Sequence, residues 1–138
     1  MRSRAFFTVA VVVAAVFMQF FALGYAVGGD MSNVTPADVK KLIDSKKKFT
    51  LIDVRTPEEF AEGHIKGAVP LYTIDDITKY RYEGKVILYC RSGKRSAAAW
   101  KNFDEKGIKN IHNMTGGILE WQDSGYEVEK GPYKGATK

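Results

Sequence analysis

The chain has 138 residues, of which 45% are hydrophobic and 27% charged, a composition typical of one globular domain with a short extension. Arg2 and Arg4 lie in the N-terminal segment and every acidic residue follows Gly29, so the chain from Asp30 onward carries a net charge of +3. A charge this small and this dispersed argues against a nucleic-acid-binding protein, although it is compatible with a small anionic substrate.

Residues 1–29 have the pattern of an export signal or a membrane anchor. Arg2 and Arg4 form a positive start, and an apolar run from Ala5 to about Val27 follows. The part before Gln19 has the length of a signal peptide, whereas the whole run is long enough to span a bilayer. We expect an exported, periplasmic protein after cleavage. The alternative is an inner-membrane anchor with the domain facing the periplasm, and only an uncleaved segment would bring the protein to a membrane.

The rest of the chain alternates between helical and strand-like patterns, which predicts an α/β domain with a mainly parallel sheet. Thr35-Pro36 and Thr56-Pro57 each combine an N-cap residue with proline at the first helical position. Helices are predicted from Pro36 to about Ser45, Pro57 to Gly63, Ile74 to Tyr80, Ser96 to Lys106 and Gly117 to Ser124. Extended segments are predicted from Phe49 to Val54, Ala68 to Leu71, Lys85 to Cys90, Ile108 to Met114 and Tyr126 to Val128.

From Gly131 onward the sequence resembles a loose tail. The predicted organisation is therefore a signal or anchor at 1–29, one folded domain at 30–130 and a flexible tail at 131–138.

Cys90 is the only cysteine in the chain and ends the most strand-like segment. The consecutive apolar residues before it predict a central strand, and ligands of open parallel sheets bind beyond the carboxyl ends of strands. A thiol at a strand-to-helix turn faces the first N–H groups of the helix, which favour the thiolate. An inert, buried cysteine is the alternative, but it would not need three cations and a glycine within the next five residues. We therefore predict that Cys90 is a nucleophile.

The segment that follows Cys90 has the composition of an anion-binding loop. Gly93 allows successive N–H groups to turn inward around a negative group, such as a persulfide, a sulfonate or a phosphate. Cysteine phosphatases use a Cys-x5-Arg loop, whose arginine would fall at Ser96, whereas Arg95 closes a Cys-x4-Arg loop here. The shorter loop favours a sulfur atom over a phosphoryl group, and it argues against a phosphatase or an arsenate reductase of related fold.

Together with three further segments, this loop makes the chain resemble a single-domain rhodanese from about Val34 to Val128. These segments are Leu51 to Phe60, Gly63 to Leu71 and Gly116 to Trp121. The resemblance implies an α/β, rhodanese-like fold with a five-stranded, mostly parallel sheet flanked by helices on both faces. It also implies a monomer that uses no metal or organic cofactor.

The resemblance further implies a sulfurtransferase. Cys90 would be the catalytic residue that takes a sulfane sulfur from a small anionic donor such as thiosulfate and passes it to cyanide or a thiol. The alternative is a sulfur-carrier or sulfide-handling module that delivers persulfide sulfur to another protein. The residues implied in substrate binding are Arg91, Ser92, Gly93, Lys94, Arg95 and Ser96.

Three other polar residues are interpreted as structural. Arg55 is either a second substrate anchor or the partner of Asp53 or Glu59 in an internal ion pair, and we favour the ion pair. His64 belongs to a scaffold segment of the resemblance, and a thiolate of lowered pKa does not require it as a base. His112 has no partner motif, so the two histidines and one cysteine do not indicate a metal site.

Overall fold

The computed structural model describes residues 31–135, so the predicted signal or anchor at 1–29 lies outside the described residues. Five strands form one all-parallel sheet in the order β1-β5-β4-β2-β3. The strands are β1 (Ser32–Val34), β2 (Phe49–Asp53), β3 (Val69–Pro70), β4 (Lys85–Tyr89) and β5 (Ile111–Met114). The helices are α1 (Pro36–Asp44), α2 (Pro57–Glu62), α3 (Lys94–Glu105) and α4 (Gly117–Asp123), with a 3-10 helix at Ile74–Lys79.

Helices cover both faces of the sheet and divide the core into two clusters. On one face α1, α2 and α4 contribute Val39, Phe60 and Trp121. On the other face the 3-10 helix and α3 contribute Ile77 and Phe103. Strand β4 lies at the centre and is buried on both faces, which explains its uninterrupted apolar sequence. The predicted α/β fold, with a five-stranded sheet flanked by helices on both faces and a central strand before Cys90, is therefore confirmed.

The two threonine-proline pairs begin helices as expected. The Thr35 side chain accepts a hydrogen bond from Asp38 N at the start of α1, and the Thr56 side chain accepts one from Glu59 N at the start of α2. In each helix the acid also bonds back to the threonine N–H, which completes a capping box. These caps stabilise α2 although it has only six residues.

Several boundaries differ from those predicted. Helix α3 begins at Lys94, before the predicted Ser96, because Gly93 takes a left-handed conformation (φ 88°) and ends the loop early. Strand β5 begins at Ile111 rather than Ile108, since Asn110 also has a positive φ of 59°. The short edge strand β1 was not predicted at all.

The last described residues contact the domain. Glu129 forms a single antiparallel bridge with His64, and Gly131 N donates to Ala61 O at 2.8 Å. The ring of Tyr133 meets Phe60 edge-on. Between residues 31 and 135, none of the helices combines the length and the apolar character needed to cross a bilayer.

Candidate active site

Cys90 lies directly after β4, at the carboxyl edge of the sheet, where the sequence predicted a nucleophile. The residue is 1% exposed, so the sulfur is almost completely enclosed. Gly93 N donates a hydrogen bond to Cys90 Sγ at 3.1 Å, and Ser96 Oγ lies 3.5 Å from the same sulfur. The thiol therefore lies inside a ring of backbone and hydroxyl donors.

The donors outweigh burial in setting the proton affinity of the thiol. Burial raises the pKa of Cys90. The hydroxyl of Ser96 and the backbone N–H groups of Ser96, Ser92 and Gly93 lower it by more, so the pKa lies below its ordinary value. Because these donors favour the charged form, the loop stabilises a negative charge on sulfur.

Helix α4 holds the loop in this shape. Ile118 N donates to Cys90 O at 2.9 Å, and Leu119 N donates to Arg91 O at 3.2 Å. This close approach requires a glycine at the start of α4, because a Cβ on Gly117 would lie 2.4 Å from Cys90 O. Gly93 is confined in the same way, with Met114 O 3.2 Å from where its Cβ would be.

The three cations of the loop have different surroundings. Arg91 and Lys94 are exposed, and Lys94 is the first residue of α3. Arg95 instead forms a two-bonded ion pair with Glu59 of α2, at 2.8 and 2.7 Å. The hydrogen bonds from Arg95 are the main cause that lowers the pKa of Glu59 to about 2, so this carboxylate is charged at any neutral pH. This pair was not predicted from the sequence, because Glu59 was considered there only as a possible partner of Arg55.

The Arg95–Glu59 pair lies between two surface hollows beside the loop. Arg95 lines a hollow of about 180 Å³ together with Tyr72 and Ile74. Glu59 lines a second hollow of about 300 Å³ together with Arg91 and Leu119. A molecule that approaches the loop from either hollow meets one member of this ion pair.

Arg55 pairs with Asp53, as the favoured interpretation predicted. The shortest distance between the two side chains is 2.6 Å, from Arg55 Nη2 to Asp53 Oδ2, and both residues are buried. Arg55 Nη2 also donates to Gly63 O at 2.7 Å. The pair ties the end of β2 to the end of α2 and so fixes one wall of the site.

Asn113 of β5 joins the site from a position that the sequence analysis did not select. Its Oδ1 accepts a hydrogen bond from Ser96 Oγ at 2.6 Å. Ser96 is fully buried, and Asn113 is 5% exposed. The one sequence signal for this residue is an amide within a predicted strand next to apolar neighbours.

The two histidines make structural contacts. His64 stacks on Phe60 with ring centroids 3.8 Å apart, and its Nδ1 lies 2.9 Å from Phe60 O. His112 contacts Ser32 through Nδ1 and Asn110 through Nε2. Across residues 31–135, no group of three or more His, Cys, Asp or Glu side chains could hold a metal ion.

Comparison with known proteins places this arrangement in a family. A protein of Schizosaccharomyces pombe named "Putative thiosulfate sulfurtransferase, mitochondrial" is 35% identical over 115 residues, which are 67% of this chain and 81% of that protein. "Probable adenylyltransferase/sulfurtransferase MoeZ" of Mycobacterium tuberculosis is 35% identical over 95 residues, 65% of this chain but 24% of that longer protein.

Solved structures agree with the sequence relatives. The crystal structure of a rhodanese-related protein from Thermoplasma volcanium superimposes with a TM-score of 0.61 at 29% identity, and the match covers 71% of this chain and 97% of that one. The family model of the Rhodanese-like domain matches residues 35–124 of this chain. This range includes α1, the Cys90 loop and α4. On this match and the shared fold, the chain belongs to the rhodanese-like family.

Proposed function

We propose that this protein is a sulfurtransferase that moves a sulfane sulfur from thiosulfate, or a similar anionic donor, through a Cys90 persulfide to cyanide or a thiol. Support comes from the family, from relatives named as sulfurtransferases and from the position of the thiol. The observation that carries the proposal is Cys90 Sγ, enclosed in a Cys-x4-Arg loop whose Gly93 N–H donates to it at 3.1 Å.

The proposed reaction has two displacements on sulfur. The Cys90 thiolate attacks the outer sulfur of thiosulfate, so a new S–S bond forms as the S–S bond of the donor breaks. Sulfite leaves with the electron pair, and Cys90 carries a persulfide whose terminal sulfur is negatively charged. Cyanide then attacks that terminal sulfur, thiocyanate leaves, and the Cys90 thiolate is regenerated. A thiol acceptor would take the sulfur as its own persulfide.

The loop residues have separate roles in this reaction. The N–H groups of Ser92, Gly93 and Ser96 and the Ser96 hydroxyl stabilise negative charge on sulfur throughout both steps. The exposed cations Arg91 and Lys94 attract the doubly charged donor from solution. Arg95 is partly neutralised by its ion pair with Glu59, so Glu59 would compete with the donor for this guanidinium.

The experiment that tests the proposal is intact-mass measurement of the mature protein after treatment with thiosulfate, with and without cyanide. The expected result is a gain of one sulfur atom that cyanide removes. Cys90→Ser is the matched control, because the chain has no other cysteine to accept sulfur. If the wild-type protein gains no sulfur, or Cys90→Ser gains as much, the proposed reaction is wrong.

A sulfur-carrier role is the second candidate, and the match to one part of the longer MoeZ protein favours it. In that role Cys90 would accept sulfur and deliver it to another protein. Discharge rates of the loaded protein separate the two candidates. Rapid discharge by cyanide and small thiols supports an enzyme with small acceptors, whereas a persulfide that loads rapidly but resists both supports a carrier.

We also propose export to the periplasm, with an inner-membrane anchor as the alternative, on the pattern of residues 1–29. The same mass spectrum tests cleavage, because a processed protein lacks the mass of this segment.

A further inference from the structure

Asn113 places a buried amide between apolar Leu88 on one neighbouring strand and polar Asn33 on the other. It lies on β5 opposite Leu88 of β4, and the next residue, Met114, is fully buried. A buried amide lowers the stability of the fold unless its polar atoms are hydrogen-bonded. The partners of Asn113 therefore indicate what this side chain contributes.

The main partner of Asn113 is the hydroxyl of Ser96, which also faces the thiol. Ser96 Oγ lies 2.6 Å from Asn113 Oδ1, 3.2 Å from Gly93 O and 3.5 Å from Cys90 Sγ. A hydroxyl has a single proton to donate, and 2.6 Å is the distance of a strong O–H···O bond. While the sulfur is neutral, the hydroxyl proton therefore lies on the Asn113 side.

The far end of the same amide is also bonded. Asn113 Nδ2 donates to Asn33 Oδ1 of β1 at 3.4 Å. This bond directs Nδ2 towards the edge strand and leaves Oδ1 facing Ser96. In this orientation Asn113 is an acceptor, and not a donor, to the hydroxyl.

We propose that Asn113 is a positioning residue that competes with Cys90 Sγ for the single proton of the Ser96 hydroxyl. When the sulfur is charged, the hydroxyl leaves Asn113 Oδ1 for the sulfur, and the lost bond reduces the net stabilisation of the charge. Asn113 thereby keeps the thiolate more basic than the donors alone would. A more basic thiolate is the stronger nucleophile. The role rests on the proposed function of Cys90 as the residue that carries sulfur.

The test is the pH dependence of alkylation of Cys90 by iodoacetamide, compared between the wild-type protein, Asn113→Leu, Ser96→Ala and the double variant. In Asn113→Leu the strongest competitor is gone and only Gly93 O, at 3.2 Å, still competes with the sulfur for the hydroxyl proton, so we expect the midpoint to fall by about 0.5 to 1 pH unit. Ser96→Ala removes a donor to the thiolate and should raise the midpoint. In the Ser96→Ala background, Asn113→Leu should no longer lower it.

A purely structural role for Asn113 would not produce this dependence on Ser96. A midpoint that rises or stays constant in Asn113→Leu overturns the proposal, because it would place Nδ2 against the hydroxyl. The proposal is also overturned if Asn113→Leu lowers the midpoint equally in the Ser96→Ala background, which has no hydroxyl. Asn113→Val, which is smaller, replaces Asn113→Leu if leucine is too large for the site.

The charged groups around the loop are unchanged in all four proteins, so their effects on the midpoint cancel. These groups are Arg91, Lys94, Arg95, Glu59 and Glu120 of α4. Alkylation needs no sulfur donor, so its result is independent of whether thiosulfate loads Cys90. Failure of this inference and failure of the proposed function are therefore distinguishable.

Discussion

The hydrogen bonds to Cys90 Sγ, more than the nearby cations, determine the state of the thiol. A cysteine buried in apolar surroundings has a raised pKa and is inert. Here Gly93 N–H and the other loop donors reverse that effect. Arg95 is paired with Glu59 and so contributes less positive charge at the site than the sequence indicates. Under the proposed function, an anionic donor would compete with Glu59 for Arg95.

Glu59→Gln tests this competition between the carboxylate and the donor. Without its charged partner, Arg95 is available to thiosulfate, and we expect the KM for thiosulfate to fall about two- to fivefold, the range of an exposed ion pair. The kcat should change little, because Glu59 does not contact Cys90. Steady-state kinetics with cyanide as acceptor measure both parameters.

Glu62→Gln is the matched control for this prediction. Glu62 lines the same hollow as Glu59 and carries the same charge, but it makes no ion pair with Arg95. An equal fall in KM in both variants would point to net charge rather than to the pair. An unchanged or higher KM in Glu59→Gln would contradict the competition itself.

At the scale of elements, the short helix α2 supplies one wall of the site. Its Glu59 pairs with Arg95, and Gly63 O at its end accepts from Arg55. An isolated helix of six residues is not stable in water, so α2 depends on its cap and on these contacts. Changes at the start of α2 should therefore affect the site, whereas similar changes in α1 should not.

Thr56→Ala removes the cap of α2, and Thr35→Ala removes the equivalent cap of α1. Each substitution should lower the free energy of unfolding by about 1 kcal/mol, measured by urea denaturation, because each deletes the hydrogen bond that the threonine oxygen accepts from the helix backbone. Only Thr56→Ala should also lower the KM for thiosulfate, since fraying of α2 loosens Glu59 from Arg95. Equal KM values in the two variants would show that the cap has no influence on the site.

Local chemistry explains which elements were predictable from the sequence. The starts of α1 and α2 were predictable, because Thr-Pro indicates a helix cap within a few residues. The start of α3 was not, because the left-handed cap at Gly93 uses no side-chain bond. Strand β1 was missed because it has three residues, and it depends on β5, where Ser32 pairs with His112 far along the chain.

The same distinction applies within the site. Cys90 and its loop are contiguous, so their spacing alone predicted a nucleophile inside an anion-binding turn. The contacts of Arg95 with Glu59 and of Ser96 with Asn113 join segments that only the folded sheet brings together. The residue types within one strand or helix do not identify such distant partners, because the local sequence already offers a simpler explanation for each residue.

The whole molecule brings two loops together at one edge of the sheet. All five strands are parallel, so the loops after β4 and β5 leave the sheet side by side. The first N–H groups of α4 then donate to the carbonyls of Cys90 and Arg91. This contact gives a physical reason for a glycine at position 117, the first residue of α4, which in the sequence was part of a resemblance only.

Gly117→Ala tests whether α4 holds the catalytic loop, with Gly107→Ala as its control. Both glycines have positive φ, 59° and 79°, so the backbone conformation alone should destabilise each alanine variant by about 1 to 2 kcal/mol. A Cβ at Gly107 meets nothing within 4 Å, whereas one at Gly117 lies 2.4 Å from Cys90 O and must displace the loop. We therefore expect the rate of persulfide formation to fall about tenfold or more in Gly117→Ala alone. Mass spectrometry of a single turnover measures this rate. Wild-type rates in a folded Gly117→Ala protein would mean that the close contact between α4 and the loop does not determine the reactivity of Cys90.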